Sequence, residues 1–248
     1  MDRLVVTFEH AASVNKSDAY RHGWGSVFFR KKRISHICIK AKANHWYQQP
    51  GLEQALSKLR DDGLFDKFKH RLTYGGSMGG FAAIAYADLV DATTVLALNP
   101  QSTLRRRSVP WERRFPEARA QNWNGPFSDA KGLAKLPKKI IAIYDPHVRG
   151  DFRQVKRLDQ ASLIRVQAPF IGHGLTRPLT SMNMLTPILM EATQDRFDLG
   201  AFHQDLRKRR EIPRYYEILE RRRRVLASPT FTRIVAKAKS DFLERSSR

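Results

Sequence analysis

Cysteine is nearly missing from this chain. Cys38 is the single one in 248 residues, which excludes a disulfide framework and a thiolate metal cluster within the chain. Long apolar runs are missing too. None approaches the ~20 residues of a membrane span, and the opening MDRLVVTFEH meets a glutamate too early for a secretory leader. A cytoplasmic location is the resulting expectation. No His, Cys, Asp or Glu cluster has ligand spacing. The glycine-rich stretch at residues 75–80 lacks the Lys-Ser/Thr of a P-loop, and GxGxxG spacing is absent. Neither a metal nor a cofactor is expected. Acidic residues are scarce: 24 Asp and Glu face 45 Lys and Arg, a formal net charge of +21. Such an excess predicts electrostatic association with acidic partners. No zinc finger, RNA-binding aromatic signature or heptad zipper accompanies it, so no specific nucleic-acid partner is expected. The oligomeric state is left open.

What is present is the composition of a folded globular protein, 42% hydrophobic and 10% aromatic, long enough for one large α/β domain and an appendage. Strands are expected at residues 4–8 (LVVTF), 35–41 (SHICIKA), just before Gly75, and at 93–98 (TTVLAL), 139–144 (KIIAIY) and 163–168 (LIRVQA), from their β-branched and apolar runs. Residues 20–33 link the first two, with a basic Arg30-Lys31-Lys32-Arg33 run read as a solvated turn. Leu52, Ala55, Leu56 and Leu59 recur at helical spacing, an alanine-rich helix follows residue 80, and residues 175–192 read as helical around Pro178 and Pro187. Strands alternating with helices mean a parallel sheet with crossover helices.

Residues 101–139 interrupt the alternation with two tryptophans, four prolines and many arginines. A stretch of this length without period is usually functional. It leaves the carboxyl end of a strand, and is expected to cover the site as a lid through Trp111, Phe115, Trp123 and Phe127, the alternative being that these rings pack onto the flank of the sheet and shield nothing. The arginines (Arg105, Arg106, Arg107, Arg113, Arg114) suit an anionic substrate. From residue 199 onward, Arg207-Lys208-Arg209-Arg210 and residues 221–224 alternate with apolar positions, and Ser228-Pro229 opens a further helix. Domains are accordingly placed at 1–196 and 197–248, the second a basic helical segment packing on the first.

Chemistry concentrates at Gly75-x-Ser77-x-Gly79, the nucleophile-elbow pattern, in which a serine sits on a tight strand-to-helix turn. Side chains at the flanking glycines would collide with a neighbouring strand or helix. A serine hydroxyl needs a histidine to take its proton and a carboxylate to orient that histidine. His173, between two glycines after the last strand, is the candidate base, with His10 and His147 the other histidines expected on the same rim. Asp145, at a strand end before Pro146, is the preferred acid. Asp151 is the alternative, although with Gln154 it reads as a helix N-cap and capping-box partner.

The chain order Ser77…Asp145…His173 resembles that of the α/β-hydrolases. Residues 4–192 look like a compact form lacking the first two antiparallel strands, similar to bacterial members with a YGGSMGGF-type elbow. That resemblance implies an α/β-hydrolase-like, mostly parallel sheet of about six strands with helices on both faces. It also implies an oxyanion hole from the N–H of Met78 and the loop at Glu9 and His10. The expected activity is a serine-dependent hydrolase or acyltransferase acting on a small-molecule or glycan ester, with Trp46, Gln101, Trp111 and Arg113 as candidate substrate-binding residues. A second class stays open: a silent scaffold of this fold acting as a basic binding module.

Overall fold

Six strands form one sheet: β1 (Arg3–Phe8), β2 (Ser35–Ile39), β3 (His70–Gly76), β4 (Thr94–Leu98), β5 (Lys139–Tyr144) and β6 (Leu163–Gln167). The computed structural model describes residues 2–14 and 21–246. Tyr20, the start of the predicted link between the first two strands, lies outside them. The strand order is β2-β1-β3-β4-β5-β6, and every pairing is parallel. The central strands are apolar runs buried on both faces, as parallel strands covered by helices must be. β4 is buried throughout, while the edge strand β2 is half-buried and the edge strand β6 partly exposed.

Alternate side chains feed two cores. Val5, Leu72, Leu96, Leu98, Ile141 and Ile143 face one side. There they meet α1 (Ser26–Lys31), α6 (Thr176–Ser181), α7 (Leu185–Ala192) and α8 (Leu199–Asp205). Val6, Phe8, Val95, Ala97 and Ile140 face the other. That side carries α2 (Leu52–Asp61), α3 (Met78–Ala85) and the segment around α4 (Pro116–Arg119), with α5 (Arg149–Arg157) packed nearby through Val155. All eight residues of α3 are buried, and their small side chains let the helix lie close to the sheet. The expected helix over 175–192 divides into α6 and α7, with Asn183 at φ 56° between them.

The carboxyl-terminal helices are α9 (Pro213–Glu220), α10 (Arg223–Leu226) and α11 (Pro229–Ser246). Tyr216 of α9 stacks on Phe242 of α11 with ring centroids 5.4 Å apart. Ile212, just ahead of α9, is buried in the core of the sheet domain. Among the described residues, no helix is long and apolar enough to cross a membrane.

The chain leaves β1 for β2 on one side and returns to β3 on the other. Such a reversal opens a crevice at the carboxyl ends of the two inner strands, and the Ser77 turn emerges there.

Candidate active site

Ser77 joins β3 directly to α3. Its backbone sits at φ 53°, ψ −116°, a conformation non-glycine residues rarely hold unless the surroundings enforce it. Enforcement is visible on both sides. The Ser77 N–H donates to the Leu98 carbonyl (2.9 Å), and its own carbonyl accepts from Phe81 N–H (2.9 Å) as α3 begins. The flanking glycines are sterically required, as expected. A Cβ on Gly75 would lie 2.2 Å from the Gly79 carbonyl oxygen, and one on Gly79 would lie 2.1 Å from the Phe8 carbonyl oxygen.

The Ser77 hydroxyl lies 3.0 Å from His173 Nε2. His173 follows β6, in a loop with left-handed Phe170 and Gly172, and its side chain is half-buried. Its other ring nitrogen, Nδ1, lies 2.8 and 2.9 Å from the two carboxylate oxygens of Asp151. An ionised carboxylate only accepts, so Nδ1 carries the proton and Nε2 is left to accept from Ser77.

The preferred acid of the sequence reading, Asp145, is not the partner of His173. Both of its oxygens are taken by backbone: Oδ1 by His147 N–H (2.9 Å) and Oδ2 by Gly172 N–H (2.7 Å). Asp145 therefore pins the loop that carries His173 instead of touching the ring. Asp151 is correspondingly not a helix cap. Val148 occupies the N-cap position without a side-chain bond, and Asp151 sits in the first turn of α5. Gln154, its supposed capping partner, points elsewhere. It accepts from Ser102 N–H (2.9 Å) and Ser102 Oγ (2.6 Å) and donates to the Thr103 carbonyl (3.1 Å).

Asp151 is held by Arg114, a residue expected from the sequence to be a contact for an anionic substrate instead. Arg114 donates to Asp151 Oδ1 (2.7 Å) and forks onto Glu112 through two bonds of 2.9 and 2.6 Å. Burial alone would raise the Glu112 pKa, but the bonds from Arg114 outweigh it and hold the carboxyl below its ordinary value. Nothing in the local pattern pairs Arg114 with an aspartate 37 residues later. Asn99, at the end of β4 with φ 40°, is a site residue that sequence reasoning missed. Its amide nitrogen is 3.3 Å from both ring nitrogens of His173.

Of the candidate oxyanion donors, Met78 is the first residue of α3, where helix N–H groups have no partner within the helix. Glu9 is excluded. Its N–H donates to the Ile39 carbonyl (3.3 Å), and its buried carboxylate accepts two bonds from Arg21 (2.5 and 2.7 Å). Burial pushes the Glu9 pKa up, yet Arg21 and the Ala41 N–H more than offset this. His10 does reach the site. With Ala11 and Ala12 it lines a cavity of about 400 Å³ that also contacts Ser77, Asn99, Phe115, His173, Leu175 and Arg177.

The four expected substrate contacts divide. Gln101 and Trp46 are buried behind Ser77 and do not line the cavity. Gln101 Oε1 accepts from Trp46 Nε1 (3.3 Å) and lies 3.3 Å from the Ser77 hydroxyl, while its amide donates to the Asn99 carbonyl (3.2 Å). Trp111 and Arg113 line a separate hollow with Arg149 and Arg153, and Arg153 lies over the Trp111 ring. His147, the other rim histidine, stacks on Phe170 and meets Arg222 instead.

The lid expectation is reduced to one residue. Phe115 lines the cavity and packs on Trp46 and His173 (4.9 and 6.1 Å between centroids). Trp123 packs edge-on against Phe81, and Phe127 stacks on Tyr86. The arginines of the segment do not converge on Ser77 either. Arg105 donates to the Trp123 carbonyl, Arg114 is committed to its two carboxylates, and the arginine that lines the cavity is Arg177.

No protein-family model and no curated protein matches this chain.

Proposed function

We propose that the protein is a serine hydrolase of the α/β-hydrolase type that cleaves an ester through an acyl-enzyme on Ser77. One observation carries this reading: the Ser77 hydroxyl, His173 and Asp151 are joined in line by bonds of 3.0 and 2.8 Å at the mouth of a cavity. In the first half-reaction His173 Nε2 takes the hydroxyl proton as Oγ attacks the ester carbonyl. Asp151 keeps Nδ1 protonated and stabilises the imidazolium. The negative oxygen of the tetrahedral intermediate is met by the Met78 N–H and a donor from the loop at 10–12. Nε2 then returns the proton to the leaving alcohol oxygen. Water repeats the sequence to free the acid, and a second alcohol in its place would make the same site an acyltransferase. Gln101 presents its carbonyl to the one Ser77 proton, and the imidazole outcompetes it because a ring nitrogen is the more basic acceptor.

Of the arginines behind the anionic-substrate expectation, Arg105 and Arg114 bond elsewhere and Arg113 lines a separate hollow, while Arg177 is the arginine that lines the cavity. A neutral ester fits the mostly apolar lining of the cavity better. Labelling with a fluorophosphonate probe tests the reading. Wild type should label and hydrolyse p-nitrophenyl acetate, and Ser77→Ala should lose both while keeping its circular dichroism. A wild-type protein that neither labels nor turns over any ester would favour the binding-module class instead.

A further inference from the structure

A second cavity, of about 450 Å³, lies beside the one at Ser77. It is bounded by α1, the end of β3 and the α6–α7 pair, and its main walls are Trp24, Phe28, Phe29, Tyr74, Leu185 and Leu189. Thr176 lines both cavities. A second contact joins them: His10 on the Ser77 side meets Trp24 on the other, with ring centroids 5.7 Å apart. Trp24 is held in place. It stacks on Tyr74 at 4.7 Å, and its carbonyl accepts from the Thr7 hydroxyl at 3.0 Å.

Two features say what such a space would take. Among the described residues, no charged side chain lines it, in a protein with 45 Lys and Arg, so a charged guest would find no counterion there. The Tyr74 hydroxyl is buried, without a well-formed hydrogen bond among the described residues, and the Thr176 side chain is its polar neighbour. Thr176, which lines both cavities, puts a polar side chain where they adjoin. The space is concave and mostly apolar, with Thr176, Thr180, Asn183 and Thr186 as its polar lining, the general character of a small-molecule site.

We propose that this cavity holds the hydrocarbon chain of the ester cleaved at Ser77. The chain passes Thr176 into the Trp24–Phe28 hollow, with the Thr176 side chain the polar group at the junction. The proposal rests on the ester reading above and narrows its substrate class to neutral esters with an extended aliphatic chain.

Two ester series separate the sources of that chain: p-nitrophenyl acyl esters from acetate to octanoate, and alkyl acetates from ethyl to octyl. Values of kcat/KM should rise about four-fold per added methylene until the cavity is full. A rise in the first series places the acyl chain there, and a rise in the second places the alcohol. Thr180→Trp, on the exposed rim of the cavity, should lower the longest-to-shortest kcat/KM ratio of whichever series responds. Ser77-dependent turnover that is flat in both series overturns the chain site and leaves the ester reading standing. Octanoate titration followed by tryptophan fluorescence, in wild type and Trp24→Phe, reads the cavity without turnover. A saturable change lost in the variant supports the chain site even where no ester reacts. A flat titration together with flat series overturns it.

Discussion

From His70 to Ala85 the chain is strand, turn and helix with almost no interruption. From residue 99 to 138 it has a single four-residue helix, Pro116–Arg119, yet Leu104, Val109, Ala118, Ala130 and Ala134 of that segment are as buried as any strand residue. Both regions serve the Ser77 cluster, by opposite means. The first is held by backbone: a sheet ladder, a helix, and two glycines packed against main-chain atoms. The second is held by side chains reaching to backbone. Thr103 donates to the Ser128 carbonyl, Trp123 to Ala118, and Gln160 to both Ala130 and Leu133. Arg157 ties Ser102 to Asp129, and Gln154 adds its bond to Glu112 (3.3 Å). Local sterics thus set the serine. The orientation of its distant carboxylate depends on a polar network assembled from residues far apart in the chain.

The sharpest way to break this comparison is at the two aspartates. Asp151→Asn should cost about ten-thousand-fold in kcat with the fold kept, the scale of losing a triad carboxylate. Asp145→Asn should cost far less activity, and instead about 1–3 kcal/mol of stability, because one of its two bonded N–H groups would face an amide N–H. Steady-state kinetics and urea denaturation of the pair decide it. Asp145→Asn inactive in a stable protein, beside an active Asp151→Asn, would return the acid role to Asp145.

The next largest effect tests the local half. Gly79→Ala places a methyl against the Phe8 carbonyl, rigid main chain with no side-chain end that can yield. Forced overpacking of this kind costs about 1–3 kcal/mol or more, and here it should also move β1 relative to the turn. A lowered urea midpoint with lost probe labelling is expected, and a variant as stable and reactive as wild type would show that the elbow tolerates what its geometry forbids.

The smallest effect tests the other half. Glu112→Gln keeps the shape but weakens the fork that steadies Arg114 on Asp151, a misplacement that should cost up to about a hundred-fold in kcat. Since Asp151 rather than Glu112 touches the imidazole, KM should hold. Stability carries a second signature. The Glu112 pKa lies below its ordinary 4.5 in the folded state, so folding favours the carboxylate. Its contribution is complete above that value and is lost as pH falls through the folded pKa. The variant should have a lower Tm at neutral pH and a shallower fall in Tm below about pH 4.5. An unchanged acid limb would remove Glu112 from the network.

How much was legible follows the same division. The strands and the Ser77 turn were readable because apolar runs, helical spacing and the glycine requirement are properties of neighbouring residues. His173 was readable from its place after the last strand. Position after a strand misled the assignment of the acid, because Asp145 and Asp151 both lie near the same rim and differ in what their oxygens meet. Those partners, Gly172 for one and His173 and Arg114 for the other, come from other parts of the chain. The aromatics of 101–139 misled similarly. Four large rings must be buried somewhere, but hydrophobicity has no direction. Phe115 alone among them went to the cavity, while Trp123 and Phe127 found Phe81 and Tyr86.

By itself, then, the sequence determined an α/β sheet with crossover helices and a strained serine at a strand end. These depend on side-chain periodicity and on which residues tolerate a given φ and ψ, both encoded within a few positions. Tertiary structure alone decided that Asp151 pairs with His173, that Asp145 anchors its loop, and that Arg114 is an internal counterion. It also set an uncharged hollow beside Ser77. Hydrogen bonds and ion pairs act over about 3 Å and are specific only once long-range packing has chosen which groups lie within that distance.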